Sequence, residues 1–145
     1  MKKQTVSEFK PYEKALIIEE NTSIQKMVTL ALKHPRNRNL CVVNHKRELL
    51  GLIHRKRLFR AVFSHHVPPT SSIHELFTLL TSEIAGDILI RNVITTHPTQ
   101  KIDDVIKIFI EHDLFEMPVI NEEKKVLGLL SIDMILKEWL SEMDR

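Results

Sequence analysis

Leu49-Leu50-Gly51-Leu52-Ile53 and Val126-Leu127-Gly128-Leu129-Leu130 are near-identical words set 77 residues apart. The chain has only three glycines, and these words hold two of them. Each word also follows a valine-containing run at one distance. Cys41-Val42-Val43-Asn44 begins ten residues before Gly51, and Pro118-Val119-Ile120-Asn121 begins ten before Gly128. Where glycine is so scarce, matched spacing marks an internal duplication, which restricts the chain to folds built from two like units.

The first unit opens on Ala15-Leu16-Ile17-Ile18, a short apolar run suited to a strand. Ser23 then caps a helix in which Ile24, Met27, Val28, Ala31 and Leu32 recur at helical spacing. His34-Pro35 ends it, because proline disfavours helical geometry in the residue before it. Leu40 to Val43 and Leu49 to Ile53 read as a hairpin across the polar loop Asn44-His45-Lys46-Arg47-Glu48. A second helix follows, with Leu58, Phe59, Val62 and Phe63 on its packing face.

The second unit repeats this order. Val93-Ile94-Thr95-Thr96 is the strand, and Ile102, Val105, Ile106, Phe109 and Ile110 mark the helix. Met117 to Ile120 and Val126 to Leu130 form the hairpin, and a closing helix offers Ile135, Leu136, Trp139 and Leu140 for packing. The offset is 78 residues before the hairpin and 77 after it, one extra residue lying in Pro35-Arg36-Asn37-Arg38-Asn39. The expected fold is α/β (α+β): two β-α-β-β-α repeats over residues 7–63 and 85–142, joined by a loop and helix over 64–84. In that connection Ser64 to Thr70 reads as loop. Ser72-Ile73-His74-Glu75 is a capping box opening a helix with Leu76, Phe77, Leu79, Leu80 and Ile84 on one stripe. Gly86 is expected to end it, and Asp87 to cap a short turn over Ile88 to Ile90.

A chain of 145 residues buries enough surface for a core without staples. The single cysteine, Cys41, excludes an internal disulfide, fits a reducing cytoplasm, and reads as a buried, inert thiol. No apolar run approaches a membrane span, and the basic N-terminus lacks the apolar stretch of a signal peptide. A net charge of +2 identifies no partner, and no long basic stripe with interleaved aromatics points to nucleic acid. His65, His66 and His74 lack the further ligands of a tetrahedral metal set. Asp103-Asp104 complements a helix dipole and needs no catalytic role. With no Ser/His/Asp order and no Gly-rich phosphate loop, no catalytic residue is assigned, no cofactor is required, and the chain does not read as an enzyme.

Met117-Pro118-Val119-Ile120-Asn121, Gly128-Leu129-Leu130-Ser131 and Ala85-Gly86-Asp87-Ile88-Leu89, echoed by the first repeat, resemble a tandem pair of CBS domains, also called a Bateman module. The resemblance covers nearly the whole chain. It implies an intramolecular pseudo-twofold pair with two clefts between the repeats. It further implies adenosyl ligands such as AMP, ADP, ATP or S-adenosylmethionine, disc-shaped homodimers, and a sensor role toward a target protein that the sequence does not name.

The family's ligand pattern is Gly-x-x-Thr/Ser-x-x-Asp, in which a carboxylate accepts from the paired ribose hydroxyls. After Gly128, Ser131 keeps the hydroxyl, but Met134 stands at the carboxylate position and Asp133 comes one residue early. Asp133 is read either as a ribose contact or as a helix N-cap. Arg38 holds a usual phosphate-contacting position for this cleft, which Leu16 would also line. After Gly51, His54 and Arg57 replace hydroxyl and carboxylate, and Phe115 and Glu116 face them in place of cations. This degenerate cleft would be lined by Ile94, His54, Arg57 and Pro118. Pro118 reads both as a strand-starting proline and as part of an apolar wall for a base. The cations of His54-Arg55-Lys56-Arg57 and Arg60 oppose a helix dipole, so they form either a solvated face or an anion site. Two functions compete: a regulatory pair binding an adenosyl ligand, and a ligand-free interaction or dimerisation module.

Overall fold

The computed structural model describes residues 1–68 and 72–144, and it divides into two compact units. The first unit is Leu16–Val93; the second joins Met1–Ala15 to the residues from Ile94 onward.

The first unit runs β1 (Leu16–Glu19), α1 (Ile24–Lys33), β2 (Asn39–Val43), β3 (Leu49–His54), α2 (Arg55–Val62), α3 (Ile73–Thr81) and α4 (Ala85–Ile88). Ser23 caps α1 by accepting from the Lys26 N–H, as its position predicts. β1 pairs in parallel with β2, and β2 is antiparallel to β3. The core draws Leu16 and Ile18 from β1, Met27 and Ala31 from α1, Leu40 and Val42 from β2, and Leu58 from α2. Residues 64–66 of the expected loop form a short 3-10 turn, whereas 69 and 70 lie outside the described residues.

The second unit runs α5 (Ile102–Glu111), β4 (Glu116–Ile120), β5 (Val126–Ser131) and α6 (Ile132–Met143). A 3-10 turn over Val6–Phe9 supplies two buried side chains to its core, beside Val105, Phe109, Met117 and Leu130. The turn is held by Val6 N–H on the Gln100 carbonyl, 3.0 Å, and by Ile102 N–H on the Gln4 carbonyl, 2.8 Å. Residues 7–15, read from the sequence with the first repeat, therefore pack with the second hairpin.

The duplication reaches the turns. Asn44 Oδ1 accepts from Lys46 and Glu48 N–H, and Asn121 Oδ1 accepts from Glu123 and Lys125 N–H. Arg47 and Lys124 take positive φ, and both hairpins slip register at one position, Val42/Val43 and Val119/Ile120. One strand is missing, however. Val93 to Thr96 forms only a single parallel bridge, Thr96 to Val119. The Thr96 N–H donates to the Pro118 carbonyl and the Ile120 N–H to Thr96. The next bond of that ladder would need an N–H from residue 118, and proline has none. Cys41 carries that N–H in the first repeat, where the ladder extends over four residues. Pro118 is also third in its strand rather than first.

Both opening glycines sit where a foreign segment crosses the hairpin. Leu52 and Ile90 exchange backbone hydrogen bonds of 3.0 and 2.8 Å, and Glu13 and Leu129 exchange bonds of 3.1 and 2.8 Å. The segment leading into each repeat thus pairs with the hairpin of the other. A Cβ on Gly51 would strike the Ile90 carbonyl oxygen and approach Leu89 Cδ1 to 2.7 Å; one on Gly128 would lie 2.6 Å from Tyr12 Cβ.

Several local expectations are corrected. α3 ends at Thr81, and Gly86 lies inside α4 rather than terminating α3. Asp87 is also within α4, and its carboxylate accepts from the N–H groups of Glu83 and Ile84. Phe59, Val62 and Phe63 are exposed, as are Leu136, Trp139 and Leu140. Those helical faces were expected to pack inward; only Leu58 and Ala61 of α2 are buried, and no residue of α6 is.

Candidate functional site

In the second unit the pattern after Gly128 supplies one hydroxyl, Ser131, and one carboxylate, Asp133, and a second carboxylate comes from the distant Glu13. Ser131 is buried at the end of β5 and is itself the N-cap of α6, accepting from the Met134 N–H at 3.3 Å. Asp133 therefore does not cap. It lies exposed inside the first turn of α6, where its charge complements the helix dipole. The Ser131 hydroxyl donates to Glu13 Oε1 at 2.9 Å. Glu13 went unnoticed in the sequence, since nothing in its local pattern links it to a serine 118 residues away. The link is made by the Glu13–Leu129 bridge, one strand position from the hairpin glycine. Pro118 is buried in β4, and Ile94 packs against the edge of the same core.

In the first unit Leu16 is a buried core residue of β1. Arg38, His54, Arg55, Lys56 and Phe59 line a depression of 460 Å³ where β2 begins and α2 starts. His54 caps α2, its Nδ1 accepting from the Lys56 N–H at 3.2 Å. Partial burial, then Lys56, then Arg38 hold its pKa below the ordinary histidine value. Protonation would also occupy the capping nitrogen. A depressed histidine pKa means the unfolded chain binds the proton more readily, so the stability His54 contributes is present above about pH 6.5 and declines below it. An NMR titration of the His54 ring should give a midpoint below that of a free histidine; a midpoint above it would contradict the capping geometry.

The paired arginines of this helix start are neither a solvated face nor an open anion site. The Arg55 guanidinium donates to the carbonyls of Ala31, His34 and Asn37, at 3.1, 3.0 and 2.7 Å, closing the C-terminus of α1. Arg57 forms an ion pair with Glu75 and donates through Nε to the Ile88 carbonyl. The Glu75 carboxylate meets Arg57, while Ser72 caps α3 by accepting the Glu75 N–H. Their cationic charge is consumed within the unit, which is why it is tolerated at a helix N-terminus. Arg57 is thereby committed away from any ligand role of the kind the degenerate cleft would require.

Comparison with known proteins places this architecture. The model of the CBS domain family matches residues 6–64 and 85–141. The chain belongs to the CBS domain family and carries two such domains in tandem. Among solved structures, the CBS domain pair of protein MJ0100, in complex with 5′-methylthioadenosine and S-adenosyl-L-methionine, is 19% identical with a TM-score of 0.69 and covers 95% of this chain and 97% of that one. CBSX2 in complex with AMP is 16% identical, with a TM-score of 0.74, and covers 99% and 100%. The cytosolic domain of the Mg2+ channel MgtE in complex with ATP is 15% identical, with a TM-score of 0.66, and covers 92% and 46%. At these identities the likeness is one of fold. No curated protein matches by sequence. CBS pairs are generally regulatory rather than catalytic. Among the described residues no helix is long and apolar enough to cross a membrane, and no cluster of His, Cys, Asp and Glu suits a metal ion.

Proposed function

We propose that this chain is a cytoplasmic regulatory CBS pair that binds an adenine nucleotide or related adenosyl ligand and signals by a conformational change to a target protein. What carries the reading is the adenosyl ligand bound in each of three like-folded CBS structures, two of them matched over nearly their whole length. Ser131 and Asp133 are the ligand contacts proposed in the second repeat, and Leu16 and Arg38 those proposed in the first. Glu13, held on the Ser131 hydroxyl, replaces the carboxylate that Met134 cannot supply, and it accepts from ribose hydroxyls. The chain has no chemistry of its own in this reading, and it works as a homodimer.

Titration calorimetry with AMP, ATP and S-adenosylmethionine tests it. Glu13→Gln and Arg38→Ala should each weaken binding about tenfold, the loss of one charge-assisted contact. Arg57→Ala should leave it unchanged, because that side chain is committed to Glu75 and Ile88. Equal affinity in the Glu13 and Arg38 variants would move the ligand elsewhere. The alternative, a ligand-free interaction module, draws on the exposed apolar faces of α2 and α6. It predicts no heat with any of the three.

A further inference from the structure

Glu13 reaches Ser131 because the segment that carries it is fastened elsewhere. The regular element of Met1–Ala15 is the 3-10 turn over Val6–Phe9. So short a turn holds poorly by itself, and side-chain and cross-chain contacts set the course of the segment. Val6 and Phe9 are buried in the core of the second unit. The Gln4 N–H donates to Glu8 Oε2 at 3.0 Å, and the Tyr12 hydroxyl donates to the Val6 carbonyl at 3.3 Å, folding the segment onto itself. The backbone bonds to Gln100 and Ile102 pin it beside the start of α5.

The same segment grips α6 at two places. At the helix start, Glu13 Oε1 accepts from the hydroxyl of Ser131, the N-cap. In the C-terminal half, Lys3 Nζ lies 3.2 Å from Glu138 Oε2, and the Lys2 backbone N–H donates to Glu142 Oε1. Glu138 and Glu142 are four residues apart, so they share one face of the helix. Lys3 also sits over the Phe9 ring, 5.1 Å from its centroid, which ties the cation to a side chain of the core. The Glu138 side chain is only 16% exposed, and a partly buried pair is screened less than a surface one. Seven residues separate Ser131 from Glu138, about 10 Å along the helix axis. Lys3 and Glu13 thus hold opposite ends of one helix through one continuous segment.

We infer that Met1–Ala15 is a strap that sets the position of Glu13, with Lys3 as a positioning residue, so that ligand affinity and the strap's hold on α6 are coupled. The inference deepens the reading of the adenosyl site and rests on it. Glu13 is exposed, and its carboxylate keeps lone pairs beyond the one engaged by Ser131. A ligand held there adds a tie between the segment and the helix. By linkage, whatever strengthens the strap favours the ligand, and the ligand favours the strap by the same factor. Loss of the Lys3–Glu138 pair leaves Glu13 in the chain but less often in place, and affinity falls with that fraction.

Titration calorimetry with AMP, ATP and S-adenosylmethionine, together with hydrogen exchange of the Val6 and Ile102 N–H groups, tests it. Lys3→Glu sets carboxylate against carboxylate and should raise the dissociation constant about fivefold, an effect that shrinks at high salt. Lys3→Glu combined with Glu138→Lys should recover the affinity. In the natural chain the ligand should slow exchange at both N–H groups, and Lys3→Glu should quicken it without ligand. Thermal unfolding confirms that each variant is folded; Lys3→Met, with a smaller loss, answers the question if the charge reversal does not fold. No heat with the natural chain overturns the adenosyl reading, and the coupling with it. A natural chain that binds, with the Lys3 variants binding equally well, no recovery in the exchanged pair, or exchange that the ligand does not slow, overturns the coupling and leaves the adenosyl reading standing.

Discussion

Gly51→Val should unfold at a temperature about 10 °C below that of the natural protein, a loss of about 3 kcal/mol. Strand propensity alone gives the opposite sign, since valine is favoured and glycine disfavoured within strands. Close approach decides the outcome. The Leu52–Ile90 bridge lays the segment before the second repeat across β3, and any Cβ at residue 51 is driven into the Ile90 carbonyl oxygen. A backbone segment held by two hydrogen bonds cannot step aside as a side-chain tip can. Gly128→Val should behave alike, because Tyr12 and Glu13 cross β5 at the same place. Gly86→Ala is the contrast: its nearest neighbour would be the Glu20 carbonyl oxygen at 3.3 Å, so it should cost far less. Calorimetric unfolding of the three variants orders them; a stable Gly51→Val would mean that the crossing segment is not there.

The second large loss should come from Arg55→Met, about 2 kcal/mol, or roughly 6 °C in Tm. Methionine keeps most of the stem but cannot donate to the carbonyls of Ala31, His34 and Asn37. These acceptors end α1, where orphan carbonyls gather and a cation is favoured by the dipole. Arg55→Lys should recover only part of the loss, because the lysine stem is one bond shorter and its ammonium falls short of the Nη2 position that donates to all three carbonyls. The adjacent Lys56→Met should lie within about 0.5 kcal/mol of the natural protein, as exposed surface changes do. Equal losses at residues 55 and 56 would mean that charge at this helix start, rather than the Arg55 hydrogen bonds to the end of α1, sets stability.

The repeat, its hairpins and most helix starts were legible because their causes are local. Ser23, the Asn44 and Asn121 turns and the His34-Pro35 stop each act within a few residues of themselves. What escaped depends on distant partners. The strand at Val93 to Thr96 has the right residues, but its ladder stops at Pro118, some 20 residues on. The side of α6 that bears Leu136, Trp139 and Leu140 is amphipathic by pattern, and periodicity alone does not say whether a neighbour covers it. The cations of α2 looked exposed or ligand-seeking because Ala31, Glu75 and Ile88 are joined to them only by the fold. Ser131 follows from the resemblance to the CBS ligand pattern after Gly128, whereas Glu13 is brought to it only by the bridge that its segment makes across β5.

Binding of an adenosyl ligand is the central claim, and thermal unfolding in a panel of AMP, ADP, ATP, S-adenosylmethionine, NAD and cyclic dinucleotides tests it most directly. A ligand at a hundred times its dissociation constant stabilises the folded state by about 2.7 kcal/mol. For a chain of this size that is a rise in Tm of about 5 °C or more, and Glu13→Gln should reduce it. No rise with any of these ligands at millimolar concentration would contradict the account and leave the interaction module in its place.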